Sequence, residues 1–193
     1  MKKNTTPSNR MIVMQVATAL FLEKGYQTTS MDEIVAVSKV SKTNIYYHFK
    51  SKEELLAAIV DQMINRYTDM IDEIAAQTDW PVTDRISRFA ALLTEQTPNS
   101  LGGCPFLTLY VQTSHDSEVV REAIGAFFRK QTTTMESLLQ EGMDRKEIQT
   151  ALPLPQLAAL LVSTIEGALF LQHTQRDPAL LSTILHTLAT MLK

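Results

Sequence analysis

The sequence predicts an all-α protein of about nine helices, and three observations carry that expectation. Every long apolar pattern in it repeats with helical period. Only 6 Gly and 7 Pro are spread over 193 residues, too little turn chemistry for a many-stranded β fold. Hydrophobic residues make up 45% and charged residues 20%, so the chain can bury a core and is not of disordered composition. A single cysteine excludes a disulfide framework and a Cys-rich zinc module. No apolar run reads as long enough for a membrane span. The polar, basic start from Met1 to Arg10 has no secretory h-region. A cytoplasmic protein without a membrane partner is expected.

Taken in order, Val13, Val16, Ala17, Leu20 and Phe21 form one buried helical stripe, which Gly25 ends. Ser30 with Glu33 is a capping box for a short helix over 31–38, and Ser41 caps another over 42–48. Ser51 with Glu54 opens a long helix over 51–77, with Leu56, Ile59, Val60, Met63, Tyr67, Met70, Ile71 and Ile74 on one face. Trp80-Pro81 breaks the chain, and Pro81 suits the first turn of a helix over 82–97. Pro98 to Gly103 reads as a loop, and Pro105 starts a short apolar helix to Thr113. Asp116 is the expected cap of the next helix, over 117–142, which carries Val120, Ile124, Phe127, Met135, Leu138 and Leu139. A linker over 142–153 precedes two strongly apolar helices, over 154–174 and 178–192.

The net charge of −3 hides a split. Residues 1–52 hold eight basic against three acidic side chains, a net +5, and the remainder is net −8. A basic end on an acidic body suggests that this end meets a polyanion, although a solvated charged face has the same signature.

The helices over 31–38 and 42–48 flank a short turn, which is helix-turn-helix spacing. On the second, Ile45 shares a face with Phe49, and that apolar face packs inward. Lys42, Thr43, Asn44, Tyr46, Tyr47 and His48 cover the rest, so six of its seven residues can hydrogen-bond. Stability explains such a surface poorly; a major groove explains it well. Lys42 and Asn44 can reach base edges, while Tyr46, Tyr47 and His48 suit phosphates and thymine methyls. Lys52 stands in the first turn of the long helix, where the dipole disfavours a cation, which suggests an external anion such as a phosphate. Singly, each residue has a structural reading too: Tyr47 can brace the long helix, and His48 can bond a backbone carbonyl.

Residues 10–57 resemble the DNA-binding domain of the TetR family of bacterial transcription regulators. The resemblance rests on Ala19-Leu20-Phe21 with Gly25-Tyr26, on Thr28 to Ile34, and most of all on Val40 to Leu55. Two positions depart from the family pattern. Ser38-Lys39 stands where Ala-Gly is usual in the turn, and Thr43 stands where Gly is common. The resemblance implies a helix-turn-helix domain over 1–53 and a helical effector-binding and dimerisation domain over 54–193. It implies DNA contacts at Thr29, Lys42, Thr43, Asn44, Tyr46, Tyr47, His48 and Lys52. It also implies a homodimeric repressor released from a palindromic operator in double-stranded DNA by a small molecule. An activator or ligand-independent regulator of the same fold is an alternative, as is a helical interaction module without DNA binding.

In the C-terminal part, the two last helices are so apolar that a partner is expected. Self-association through Leu161, Gly167, Ala168, Leu181, Leu185 and Leu188 matches the family's four-helix dimer mode, with burial inside one subunit as the alternative. A largely apolar effector is expected among the middle helices, near Met63, Phe89, Phe106, Tyr110, Phe127 and Met135, where plain core packing is the alternative. Glu166 is a carboxylate in an apolar helix, suited to a cationic or polar ligand group or to an inter-helix hydrogen bond. Cys104 precedes a helix whose dipole lowers a thiol pKa, a sensor position unless the thiol is simply buried. The four histidines have no metal-ligand spacing, no cofactor fingerprint is present, and no acid, base or nucleophile set converges. No cofactor, no metal and no enzymatic activity are expected.

Overall fold

The structure, a computed structural model, describes residues 7–96, 103–113 and 117–191. Among the described residues lie nine α-helices and no strand. They are α1 (Asn9–Glu23), α2 (Met31–Ser38), α3 (Lys42–His48), α4 (Lys52–Ala75), α5 (Val82–Gln96), α6 (Pro105–Thr113), α7 (Glu118–Asp144), α8 (Leu154–Gln175) and α9 (Leu180–Met191).

Serine hydroxyls start the first four helices, α2, α3 and α4 at the expected residues and α1 at Ser8. Ser8, Ser30, Ser41 and Ser51 accept from the backbone N–H three residues on, at 3.3, 3.1, 3.3 and 3.0 Å. Each such cap contributes about 1 kcal/mol. α7 is capped by Ser117, which accepts from the Val120 N–H at 3.4 Å, and not by Asp116, which lies outside the described residues. α7 also runs past Gly142 to Asp144, so the connection to α8 is shorter than expected. The reason is close packing: a Cβ on Gly142 would stand 2.6 Å from the Ile148 side chain.

The apolar stripes merge into a single core reaching from Val13 in α1 to Leu181 in α9. α4 carries it from one end to the other. Leu55, Leu56, Ile59 and Val60 are buried near its start, and Tyr67 and Ile71 further along. No break in the core therefore marks the expected boundary near residue 53. A buried cation fastens the far end of α4. Arg85 of α5 is fully buried, donates to the Ala75 carbonyl at 2.7 Å, and is paired with Glu141 of α7. The Arg85 hydrogen bond holds the Glu141 carboxyl below its ordinary pKa. Glu147 accepts from the Val82 N–H at 2.6 Å and so places an anion at the start of α5, where the helix dipole favours it.

α8 corrects one expectation: at 22 residues it is long and apolar enough to cross a membrane by length and composition. Leu157, Leu161, Ile165 and Ala168 are buried on one face of it, and α8 packs on α7.

Candidate nucleic-acid interface

α2 and α3 meet at a turn that glycine would suit. Lys39 occupies it with φ 57°, in the left-handed region, and its N–H donates to the Val35 carbonyl. A non-glycine residue there costs about 1 kcal/mol. Ser38 offsets some of this by accepting from the Val40 N–H at 3.3 Å.

On α3, Ile45 and Phe49 are buried against α1, as their spacing predicts. The opposite surface is open. Lys42, Thr43, Tyr46 and Tyr47 are exposed, Tyr47 to 74%. His48 is half-buried and meets the Tyr47 ring edge-on, with centroids 5.0 Å apart. Asn44 is half-buried, and its Oδ1 is shielded from solvent without a hydrogen-bond partner among the described residues. Lys42 pairs with Asp32 of α2 at 2.8 Å, and that hydrogen bond raises the ammonium pKa above its ordinary value. Both partners are largely exposed, so the pair is cheap to exchange for a phosphate.

Two of the expected contact residues face inward. Thr29 is 1% exposed, and its hydroxyl donates to the Gly25 carbonyl at 2.9 Å. Lys52 donates to the Tyr26 and Thr29 carbonyls at 2.9 and 3.1 Å and lies 4.3 Å from the Tyr26 ring centroid. Beside Lys52 stand carbonyl oxygens of the protein itself. They hold the start of α4 to the α1–α2 loop and so set the angle at which α3 is presented.

Gln112, at the end of α6, was silent in the sequence. Its Oε1 accepts from the Tyr26 N–H at 2.7 Å, across 86 positions. The same loop residue therefore receives Lys52 on its carbonyl and Gln112 on its N–H. No local pattern marks a long-range bond of this kind.

In the body, Phe106 and Phe127 come together as expected, with centroids 4.2 Å apart, and Tyr67 and Phe128 join them. Phe89 and Met135 are buried as well, and Met63 and Tyr110 are half-buried. These aromatic rings pack on one another as core. A cavity of about 540 Å³ lies elsewhere, between α5, the end of α8 and α9, lined by Ser87, Gln172, Leu181, Leu185 and His186 among others.

Both Glu166 oxygens are buried without a hydrogen-bond partner of ordinary geometry. Burial raises this carboxyl to about 6, against the lowering effect of the Cys104 thiol beside it. Cys104 is fully buried, and burial together with Glu166 pushes its pKa up, the reverse of what a reactive thiolate needs. The expected dimer residues divide as well. Leu161, Ala168 and Leu181 are buried within the subunit, and Leu185 and Leu188 are half-buried. Gly167 is exposed, and a Cβ there would meet nothing within 4 Å. Of the expected α8 residues Gly167 is thus open, and Leu160, Ser163, Phe170 and Leu171 are exposed on α8 as well.

Comparison with known proteins gives a consistent result. Residues 13–59 match the model of the bacterial regulatory proteins of the tetR family, and residues 83–188 match that of the tetracyclin repressor-like C-terminal domain. The HTH-type transcriptional repressor DhaR of Mycobacterium sp. strain GP1 is 24% identical over 168 residues, covering 87% of this chain and 84% of that protein. QacR of Staphylococcus aureus is 47% identical, but over only 49 residues, 25% of this chain and 26% of its own. A TetR transcriptional regulator from Chloroflexus aurantiacus superposes with a TM-score of 0.79 at 29% identity, covering 94% of this chain and 92% of its own.

Proposed function

The chain belongs to the tetR family of bacterial regulatory proteins, and on that premise we propose that it is a homodimeric repressor released from a palindromic operator by a small, largely apolar effector. Like its relatives it is a DNA-binding transcriptional regulator and not an enzyme. We place its action in the cytoplasm, with the DNA it binds.

The observation that carries the reading is the surface of α3, where six hydrogen-bonding side chains, four of them exposed, surround an anchored Ile45. In the major groove, Lys42, Thr43 and Asn44 read base edges, and Tyr46, Tyr47 and His48 hold phosphates and thymine methyls. Thr29 and Lys52 position this surface through the bonds that fix the Tyr26 loop. A second copy covers the α8 stripe around Gly167 and supplies the second α3 for the other half-site, about 34 Å or a multiple away along the duplex. The effector sits in the body near Phe106 and Phe127. From there α6 reaches the reading head through Gln112, and α4 through Lys52. Release follows when the effector binds the DNA-incompetent arrangement better than the competent one.

Selection of bound duplex from a random pool by the purified full chain tests this. An enriched palindrome, bound less tightly as salt rises, is the expected result. An unpaired half-site, or no enrichment, overturns the dimeric repressor.

A further inference from the structure

Gln131 lies on α7 one turn beyond Phe127 and is 2% exposed. Neither its amide nitrogen nor its oxygen has a hydrogen-bond partner among the described residues. A methionine of similar length would fill the position without desolvating an amide, so stability gives no reason for glutamine here. The side chain lines a small cavity between α4 and α7, about 10 Å³ and roomy enough for roughly one water. Thr68 and Ile71 of α4 and Phe127 and Thr134 of α7 form its walls. Lys130 and Asp72 line it too and pair across the two helices at 3.0 Å, each about half exposed.

We propose that this cleft receives the polar end of the effector, and that the effector carries a neutral group that donates and accepts at once, a carboxamide or lactam. The inference rests on reading the chain as an effector-released repressor. Gln131 presents an unmet donor and an unmet acceptor on one amide, and a second amide answers both with a pair of N–H···O bonds. A carboxylate answers the donor alone and brings a charge beside the Phe127 ring. A hydrocarbon answers neither. Lys130 and Asp72 neutralise each other at the rim, so the site has no net charge to favour an ionic ligand. The cavity is smaller than any such ligand. Seating the ligand parts the Lys130–Asp72 pair and moves α4 from α7, and α4 begins at Lys52 beside the Tyr26 loop. The ligand therefore favours the opened arrangement, which is the differential affinity that release requires.

Calorimetry on the full chain at pH 7 tests the proposal with benzamide as probe and benzoate and toluene as controls. The expected result is at least tenfold tighter binding of benzamide than of either control. Gln131→Met should lower benzamide affinity at least tenfold and leave that of toluene unchanged. Absence of benzamide binding, equal binding of the controls, or full affinity in Gln131→Met overturns it. The wild-type series stands even if the variant does not fold. A gel shift of ligand-free protein on the selected duplex separates the two readings. Failure there sinks the repressor; intact operator binding without amide selectivity sinks this inference alone.

Discussion

α3 and α8 both present side chains that the fold of one subunit does not use, and they do so with opposite chemistry. On α3 the open residues are Lys42, Thr43, Tyr46 and Tyr47, all able to hydrogen-bond with water while they wait. On α8 they are Leu160, Phe170 and Leu171, 51, 47 and 42% exposed, with Gly167 flat between them. A hydrated, hydrogen-bonding surface whose Lys42 can exchange Asp32 for a phosphate suits a contact made and broken by competition with salt. An apolar stripe is stabilised only when covered, which suits a contact that persists. On the proposed reading, one molecule separates a reversible reading surface on α3 from a lasting association surface on α8, with the long core through α4 between them.

The largest effect should come from breaking the association side. Leu160→Glu places a carboxylate on a residue exposed in the single subunit, so the subunit should fold normally while its self-association is lost. Operator affinity should fall by two orders of magnitude or more, as one half-site replaces two. Sedimentation and gel shifts check this together, and an intact dimer would move the interface away from α8.

Breaking the reading side should cost less and leave assembly untouched. Tyr47→Ala and Asn44→Ala should each weaken operator binding by about 1–3 kcal/mol. Tyr47 is 74% exposed, so its unfolding midpoint should move little. The Asn44 variant should lose preference at particular base pairs, and the Tyr47 variant should weaken at all sequences similarly. A panel of operator variants distinguishes the profiles, and finding them interchanged would reverse the roles.

Glu166 sharpens the contrast from inside, because its charge is buried where those on α3 are solvated. Burial raises its carboxyl from the ordinary 4.5 to about 6. A raised carboxyl pKa favours the folded state fully only below 4.5, and that advantage is lost as pH climbs through 6. Glu166→Gln should therefore add about 2 kcal/mol of stability at pH 8 and almost none at pH 4. Urea unfolding at the two pH values, at fixed protein concentration, measures it. An equal gain at both would place the cost in packing instead of ionisation.

The smallest effect should come from the join between body and reading head. Gln112→Ala leaves the Tyr26 N–H without its acceptor and should cost about 1–3 kcal/mol of stability, if that group stays dry. Operator affinity without effector should drop by less than tenfold, and the effector dose response should shift. An unchanged dose response would confine coupling to α4.

The helices were legible because their causes are local. Caps at Ser30, Ser41 and Ser51 act over three residues, and apolar stripes such as Val13 to Phe21 repeat every turn. The face of α3 was legible for the same reason: once Ile45 and Phe49 are assigned inward, a period of 3.6 residues fixes what remains outside. The amino-acid order by itself thus determined the fold class, the helix-turn-helix and the chemistry of its surface.

Only the tertiary structure decided which faces are left over. Nothing local distinguishes Leu160 from Leu161, yet packing on α7 buries the second and exposes the first. Lys52 reaches the Tyr26 and Thr29 carbonyls of the loop before α2 across 26 and 23 positions, at 2.9 and 3.1 Å, which no local pattern marks. Gln112 meets that loop across 86 positions, and the amide of Gln131 goes unanswered although Thr68, Asp72, Lys130 and Thr134 stand among the walls of its cavity. Periodicity states which residues share a side of a helix. What stands against that side is set by how the helices close around a common core, and that closure assigns each polar group its partner or leaves it without one.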